Sequence, residues 1–287
     1  MKKILVTGAK GQLGSELQVL GPNYPQFDWV FTDWEELNLC DLENLETELT
    51  KINAQIIINC AAHTAVDKAE AEFELSAVLN HQAVAVLAQW SHVNDCQLIH
   101  VSTDYVFDGT ASTALTETAQ PNPINVYGVT KLAGEKACIK YNPDSIIIRT
   151  SWVYSSFGTN FVKTMSKLMQ ERDSLNVVND QIGSPTYAAD LAQAIMTILT
   201  HAHWQAGIYH FSNEGAISWY EFALAIQEIG GIDCEISGIS TSAYPTPAKR
   251  PKYSLLDKSK IKSVYGVVVP EYITSLRRCM RLLGIEK

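Results

Sequence analysis

Tyr127 and Lys131 stand four residues apart in NVYGVTKLAGE, residues 125–135. On a helix that spacing puts both side chains on one face, where an ammonium stabilises a phenolate and lowers the phenol from its ordinary pKa of about 10. A tyrosine tuned in this way is a proton donor near neutral pH. Of the 12 tyrosines only Tyr127 has a lysine at that offset, and a solvent-facing helix pair is the ordinary alternative. A second stretch, VSTDYVFDGT at residues 101–110, sets Ser102, Thr103, Asp104 and Tyr105 directly behind an apolar run, so hydroxyls and a carboxylate stand at a strand end.

The third stretch is VTGAKGQLG, residues 6–14, with Gly8, Gly11 and Gly14 behind the apolar run Ile4 to Val6. A glycine after a short buried strand permits a tight turn. The next two let backbone approach a pyrophosphate and let the following helix pack on the sheet, with the phosphate at that helix's N-terminus. The spacing departs from the Gly-x-Gly-x-x-Gly of ordinary dinucleotide binders, so by itself it fits a dinucleotide cradle and a plain glycine-rich turn equally. Asp33 follows the turn by about twenty residues, where a carboxylate hydrogen-bonds an adenine ribose.

The elements that must position these groups alternate. Apolar runs at Ile4 to Val6, Trp29 to Thr32 and Ile56 to Cys60 are separated by helical patterns from Gln12 and near Leu42 to Ile52. A long helical stretch from Glu72 to Val93 leads to a strand over Gln97 to Ser102. A loop then runs to Val126, a helix begins at Tyr127, and a strand covers Ser145 to Thr150. This pattern predicts an α/β fold with a doubly wound parallel sheet, and ligands of such sheets bind beyond the carboxyl ends of the strands. Past Trp152 the elements shorten, with helices expected near Phe161 to Glu171, Tyr187 to Thr200, Trp219 to Ile229 and Pro270 to Leu283. The segment YPTPAKRP, residues 244–251, reads as a stiff loop.

The chain has 287 residues, 46% hydrophobic and 18% charged, which suits a large core in one or two domains. A net charge of -9 argues against nucleic acid as a partner, because phosphate backbones demand clustered Lys and Arg. No stretch approaches a membrane span. Met1-Lys2-Lys3 imitates the charged start of a signal peptide, but the apolar run behind it is too short, so a cytoplasmic protein is expected. Its 6 cysteines form no Cys-x-x-Cys pair and no zinc spacing with histidine, so reduced thiols and no metal site are expected.

Taken in order, TGAKGQLG, NCAAHTAVDKAE (59–70), VSTDYVFDGT, NVYGVTKLAGE, RTSWVY (149–154), NDQIGSPT (179–186) and TSAYPTPAKRP (241–251) cover nearly the whole chain. In these blocks it resembles the extended short-chain dehydrogenase/reductase family, and within it the dTDP-4-dehydrorhamnose reductases. The resemblance implies a Rossmann-like dinucleotide-binding domain over 1–153, with part of the later chain returning to it. A smaller, discontinuous C-terminal α/β domain, mainly 154–287, would bind a nucleotide sugar. It implies NAD(P)H-dependent reduction of the C4 ketone of dTDP-4-dehydro-6-deoxy-L-mannose to dTDP-L-rhamnose. Two rival readings share the motifs: a nucleotide-sugar epimerase or 4,6-dehydratase, and a non-catalytic cofactor-binding subunit like that of methionine adenosyltransferase. A dehydratase of this family carries Asp then Glu after the strand-end threonine, whereas this chain has Asp104 then Tyr105.

Carried over position by position, the resemblance makes Tyr127 the proton donor to the sugar C4 oxygen, Lys131 the residue holding the nicotinamide ribose, and Thr103 a hydroxyl on the substrate. It puts Gly11, Gln12 and Leu13 at the pyrophosphate, Ala62, His63 and Thr64 beside the ribose, and Asp41 with Leu42 at the adenine. Asp104, Trp152 and Arg250 match substrate-contacting positions, Arg250 at the diphosphate. Lys10 stands where NADPH users carry a base for the 2′-phosphate, opposing Asp33, so both NADPH and NADH are expected as cofactors. Some relatives hold magnesium at a dimer contact, and Glu16 matches that position, which leaves a homodimer and a metal there open.

Overall fold

The computed structural model describes residues 1–286. Its main sheet is built from β1 (Lys2–Thr7), β2 (Phe27–Thr32), β3 (Ile56–Asn59), β4 (Gln97–Thr103) and β5 (Ile146–Thr150). Two later strands, β6 (Ser174–Val178) and β8 (Glu235–Ile239), pair with each other, and β7 (Gly207–His210) between them returns to the main sheet. The order of that 6-stranded sheet is β7-β5-β4-β3-β1-β2, every pair parallel.

Alternation along the strands explains why they read as unbroken apolar runs. Ile4, Val6, Ile56 and Ile58 face one side, against Leu13 and Leu17 of α1 (Gln12–Leu20). Leu5, Ile57, Leu98 and Ile147 face the other, against Leu45 and Leu49 of α2 (Leu42–Ile52) and Val84 and Leu87 of α3 (Ala83–Val93). A parallel sheet covered on both faces leaves no strand side for water, so both sets of side chains are apolar. The strand order reverses between β1 and β3, and a crevice opens beyond their carboxyl ends.

The helix that opens with Tyr127 is α4 (Val126–Tyr141). Its start is fixed by Asn125, whose side chain accepts the Gly128 N–H at 2.8 Å. Gly128 then lies so close to the turn that follows β4 that a Cβ there would sit 2.2 Å from the Tyr105 carbonyl oxygen. No other residue type permits that approach, which brings Tyr127 beside the end of β4.

The second layer packs α5 (Phe161–Glu171), α7 (Trp219–Gly230) and α9 (Tyr272–Leu282) around Val162, Phe222, Leu276 and Met280. Helix α6 (Ala188–Thr200) instead covers the main sheet with Leu191 and Ile195, and α8 (Ser259–Tyr265) adds Ile261 and Tyr265 to the same core. The later half of the chain thus supplies a strand and two helices to the first layer.

The short β6, β7, β8 and α8 were not anticipated. β8 reads EISGI with no fully buried residue, and β7 is four residues whose pairing is decided only by the β5 edge. The expected single helix over Glu72 to Val93 is interrupted by a π-helical segment at Val78–Gln82. Among the described residues all 6 cysteines are free, and no helix is long and apolar enough to cross a membrane.

Beneath the crevice lies a buried ion pair. Arg149 of β5 donates to both oxygens of Glu135 of α4, at 2.8 and 2.6 Å, and Ser102 of β4 donates to the same carboxylate at 2.6 Å. Arg149→Met leaves that carboxylate uncompensated, so it should cost about 3–5 kcal/mol in urea unfolding. Arg149→Met with Glu135→Leu should recover most of the loss; a double variant as unstable as the single one would contradict this account of the pair.

Candidate active site

The cleft at the switch point has a volume of about 800 Å³ and is walled by the carboxyl ends of β1 to β5. At its floor Gly8 adopts φ 66°, a left-handed conformation that favours glycine. A Cβ on Gly14 would lie 2.4 Å from the Gly8 oxygen and 2.6 Å from the Ala9 Cα, so the turn closes only without side chains there. Gly11 caps α1 in an extended conformation and no side chain caps the helix. The first-turn N–H donors of α1 therefore have no partner within the helix and stand at the cleft that Gln12 and Leu13 line. This is the donor set that a pyrophosphate takes, and the residues fit a dinucleotide.

Thr103, Asp104, Tyr127 and Lys131 line the same cleft, with Tyr127 and Lys131 of α4 beside the end of β4. Burial pushes the Tyr127 phenol up to about 12 against the pull of the Thr103 hydroxyl. This corrects the sequence expectation of a lowered phenol: four-residue spacing says nothing about desolvation, and the Lys131 ammonium is engaged elsewhere, donating to the Val101 carbonyl at 2.6 Å. Burial pulls Lys131 itself down to about 8. Thr103 donates to Asp104 Oδ1 at 3.1 Å and accepts the Tyr105 N–H at 3.2 Å. Tyr105 packs edge-on against Tyr127, ring centroids 5.6 Å apart.

Comparison with known proteins gives the family. The model of the family described as RmlD substrate binding domain matches residues 1–284. The chain belongs to this family. It is 38% identical to a dTDP-4-dehydrorhamnose reductase of Aggregatibacter actinomycetemcomitans, over 96% of this chain and 98% of that one. Among solved structures, a dTDP-4-dehydrorhamnose reductase of Clostridium acetobutylicum matches with a TM-score of 0.94 and 38% identity, over 98% of this chain and 99% of that one. One from Bacillus anthracis, in complex with NADP, matches with a TM-score of 0.92 and 38% identity, over 98% and 100%.

In this RmlD-family chain the turn is tied to the second layer. Gln12 accepts from the Asn160 amide at 3.0 Å and donates to the Val153 carbonyl at 3.3 Å. Trp152 takes φ 47°, uncommon for a bulky residue, and stacks on Trp219 with centroids 3.6 Å apart. Both rings line the cleft. Trp219, Trp34, Leu37 and Leu39 are lining residues that sequence reasoning missed. Trp219 is 67 positions from Trp152 by number, and no local signal joins them.

Several expected contacts are not assembled. Asp41 and Leu42 lie outside the lining; Asp41 accepts from Asn44 at the start of α2, and Leu37 and Leu39 line the cleft. Ala62 and Thr64 line the cleft, but the His63 ring does not: it bonds Ser76 at 2.6 Å and lies 3.2 Å from Glu72. Arg250 is also outside, held by both oxygens of Asp67 at 3.1 and 2.7 Å. Asp33 accepts the Lys10 and Trp34 N–H groups at 2.8 and 2.9 Å, while the Lys10 ammonium pairs with Glu35. Glu16 is buried and accepts from Ser155 at 2.6 Å. No three His, Cys, Asp or Glu among the described residues could hold a metal, so magnesium at Glu16 is unsupported.

Asp104 is 1% exposed and its Oδ2 has no hydrogen-bond partner among the described residues. Burial raises its carboxyl from 3.8 to about 6. The folded state therefore holds this proton more tightly than the unfolded chain, and ionisation above that pKa costs stability. Asp104→Asn should stabilise the free protein by on the order of 2–3 kcal/mol at about pH 8, and the gain should vanish toward about pH 4. Urea unfolding across that range checks this; a gain that is constant with pH contradicts it.

Proposed function

We propose that the protein reduces the C4 ketone of dTDP-4-dehydro-6-deoxy-L-mannose to dTDP-L-rhamnose with a reduced nicotinamide cofactor. The observation that carries this reading is the junction of Tyr127, Thr103 and Lys131 on one wall of the cleft, opposite the glycine turn. When bound, the reduced nicotinamide supplies the hydride. Tyr127 gives its phenolic proton to the carbonyl oxygen, and the Thr103 hydroxyl, turned from Asp104, donates to the same oxygen. A phenol raised to about 12 is fully protonated at neutral pH, so the donor is charged with its proton before each turnover. An alkoxide forming at C4 is a stronger base than a phenolate, so the transfer runs downhill. The Lys131 ammonium serves the ribose.

Dehydration asks for a second carboxylate after Asp104. Tyr105 stands there, and burial pushes its phenol well up, so it is no base near neutral pH. Reduction needs no such group.

Tyr127→Phe keeps the ring and removes the proton, so turnover should fall by about two to four orders of magnitude while dinucleotide still binds. The assay is loss of the reduced-nicotinamide absorbance with a panel of 4-keto-6-deoxy sugar nucleotides. Near-normal turnover by the variant ends the assignment, and formation of a ketosugar from dTDP-glucose by the native protein overturns the reductase reading.

Choice of nicotinamide follows from the charges at the far end of the cleft. Asp33, half-buried, opposes a 2′-phosphate, and the exposed Lys10 attracts one only by leaving its solvent-exposed pair with Glu35, a pair of small worth, so neither dominates. NADH and NADPH should serve within about tenfold in kcat/KM. Asp33→Ala should move the ratio toward NADPH and Lys10→Ala toward NADH; a thousandfold preference in the native protein would mean that other groups decide.

A further inference from the structure

Lys131 is 1% exposed, so its ammonium must be satisfied inside the protein. The Val101 carbonyl takes one N–H at 2.6 Å. His100 Nε2 lies 3.4 Å away on the same strand. His100 is fully buried, and burial with the Lys131 charge holds its ring well below the usual histidine range. The imidazole is therefore neutral, with one N–H and one lone pair.

Its other nitrogen, Nδ1, lies 3.0 Å from the Asn59 amide nitrogen, and the Asn59 oxygen is 2.7 Å from Thr7 Oγ1. With the amide in that sense the ring proton falls on Nε2 and opposes the ammonium. With the amide reversed, which leaves its shape unchanged, Nδ1–H donates to the Asn59 oxygen and the Asn59 NH₂ donates to Thr7. Nε2 is then free to accept. Only this second register serves a charged lysine.

We propose that His100 is a positioning residue for Lys131: Asn59 holds the ring proton on Nδ1, Nε2 accepts one ammonium N–H, Val101 takes another, and the third is aimed into the cleft. The placement stands without any ligand; its effect on cofactor binding rests on the ribose role proposed for Lys131. Of the titratable groups facing the ammonium, Glu135 on α4 favours its charge, while burial pushes the Cys138 thiol on α4 and the Cys60 thiol after β3 up to about 12 and so leaves them uncharged. His100 adds a neutral acceptor to that set.

Long-range ¹⁵N–¹H correlation of the histidine rings reads the tautomer in the native protein. A His100 proton on Nδ1 supports the proposal, and one on Nε2 overturns it. Two variants then separate placement from packing, because a glutamine amide reaches as far as Nε2 and an asparagine amide only as far as Nδ1. His100→Asn should lower the Lys131 titration midpoint, followed by ¹³C-labelled lysine, by about one pH unit and weaken NADP⁺ binding about tenfold, while His100→Gln stays within about threefold. In a Lys131→Met background His100→Asn should change NADP⁺ binding no further. Equal harm from Asn and Gln, or a loss that persists without Lys131, overturns the proposal. A shifted midpoint with unchanged NADP⁺ affinity supports the placement and overturns the ribose role instead.

Discussion

A lysine ammonium with 1% exposure is the constraint around which the wall of Tyr127 and Thr103 is arranged. Burying that charge is costly unless it is hydrogen-bonded, and the Val101 carbonyl at the end of β4 meets the need. α4 lies against β4 and the turn that follows it, and at its start that approach requires Gly128, where a side chain would meet the Tyr105 carbonyl. Tyr127, one residue before the glycine, is carried into the same wall as Thr103 and Asp104. Strand, helix start and charged side chain are thus one device. Beneath it, the Arg149–Glu135 pair and Ser102 tie α4 to β5 and β4 a second time.

The later chain completes the site from outside the first layer. β7 and α8 add to the main sheet and its core, while Trp219 of α7 stacks on Trp152 at the mouth of the cleft. The Asn125 side chain that caps α4 also donates to the Lys249 carbonyl at 2.7 Å, so the loop over 244–251 is anchored at the start of α4. Arg250 in that loop is bound to Asp67 in the first layer. The contact between Asn125 and Lys249 thus joins residues 124 positions apart at the start of the helix that carries Tyr127.

Much of this was legible in the chain. Short apolar runs bounded by glycine or polar residues marked β1, β3, β4 and β5, because a strand buried on both faces admits little else. The glycine turn and the Tyr127–Lys131 spacing were visible as local patterns, and their order along the chain carried the resemblance. What escaped reading was set by distance and desolvation. Nothing near Tyr127 in sequence reveals that burial outweighs the lysine and raises the phenol. The diversion of His63 to Ser76, of Arg250 to Asp67 and of Lys10 to Glu35 depends on partners that only the fold supplies. β8, with alternating polar residues and no buried one, carries no signal apart from its pairing with β6.

The central claim is that this wall protonates a carbonyl oxygen while hydride arrives at the carbon it belongs to. Turnover of dTDP-4-dehydro-6-deoxy-L-mannose with nicotinamide cofactor deuterated at the transferable position of C4 tests it most directly, with the product read by NMR. The account predicts one deuterium, located at C4 of the sugar, in dTDP-L-rhamnose. Product without deuterium at C4, or with deuterium at C5, would contradict it.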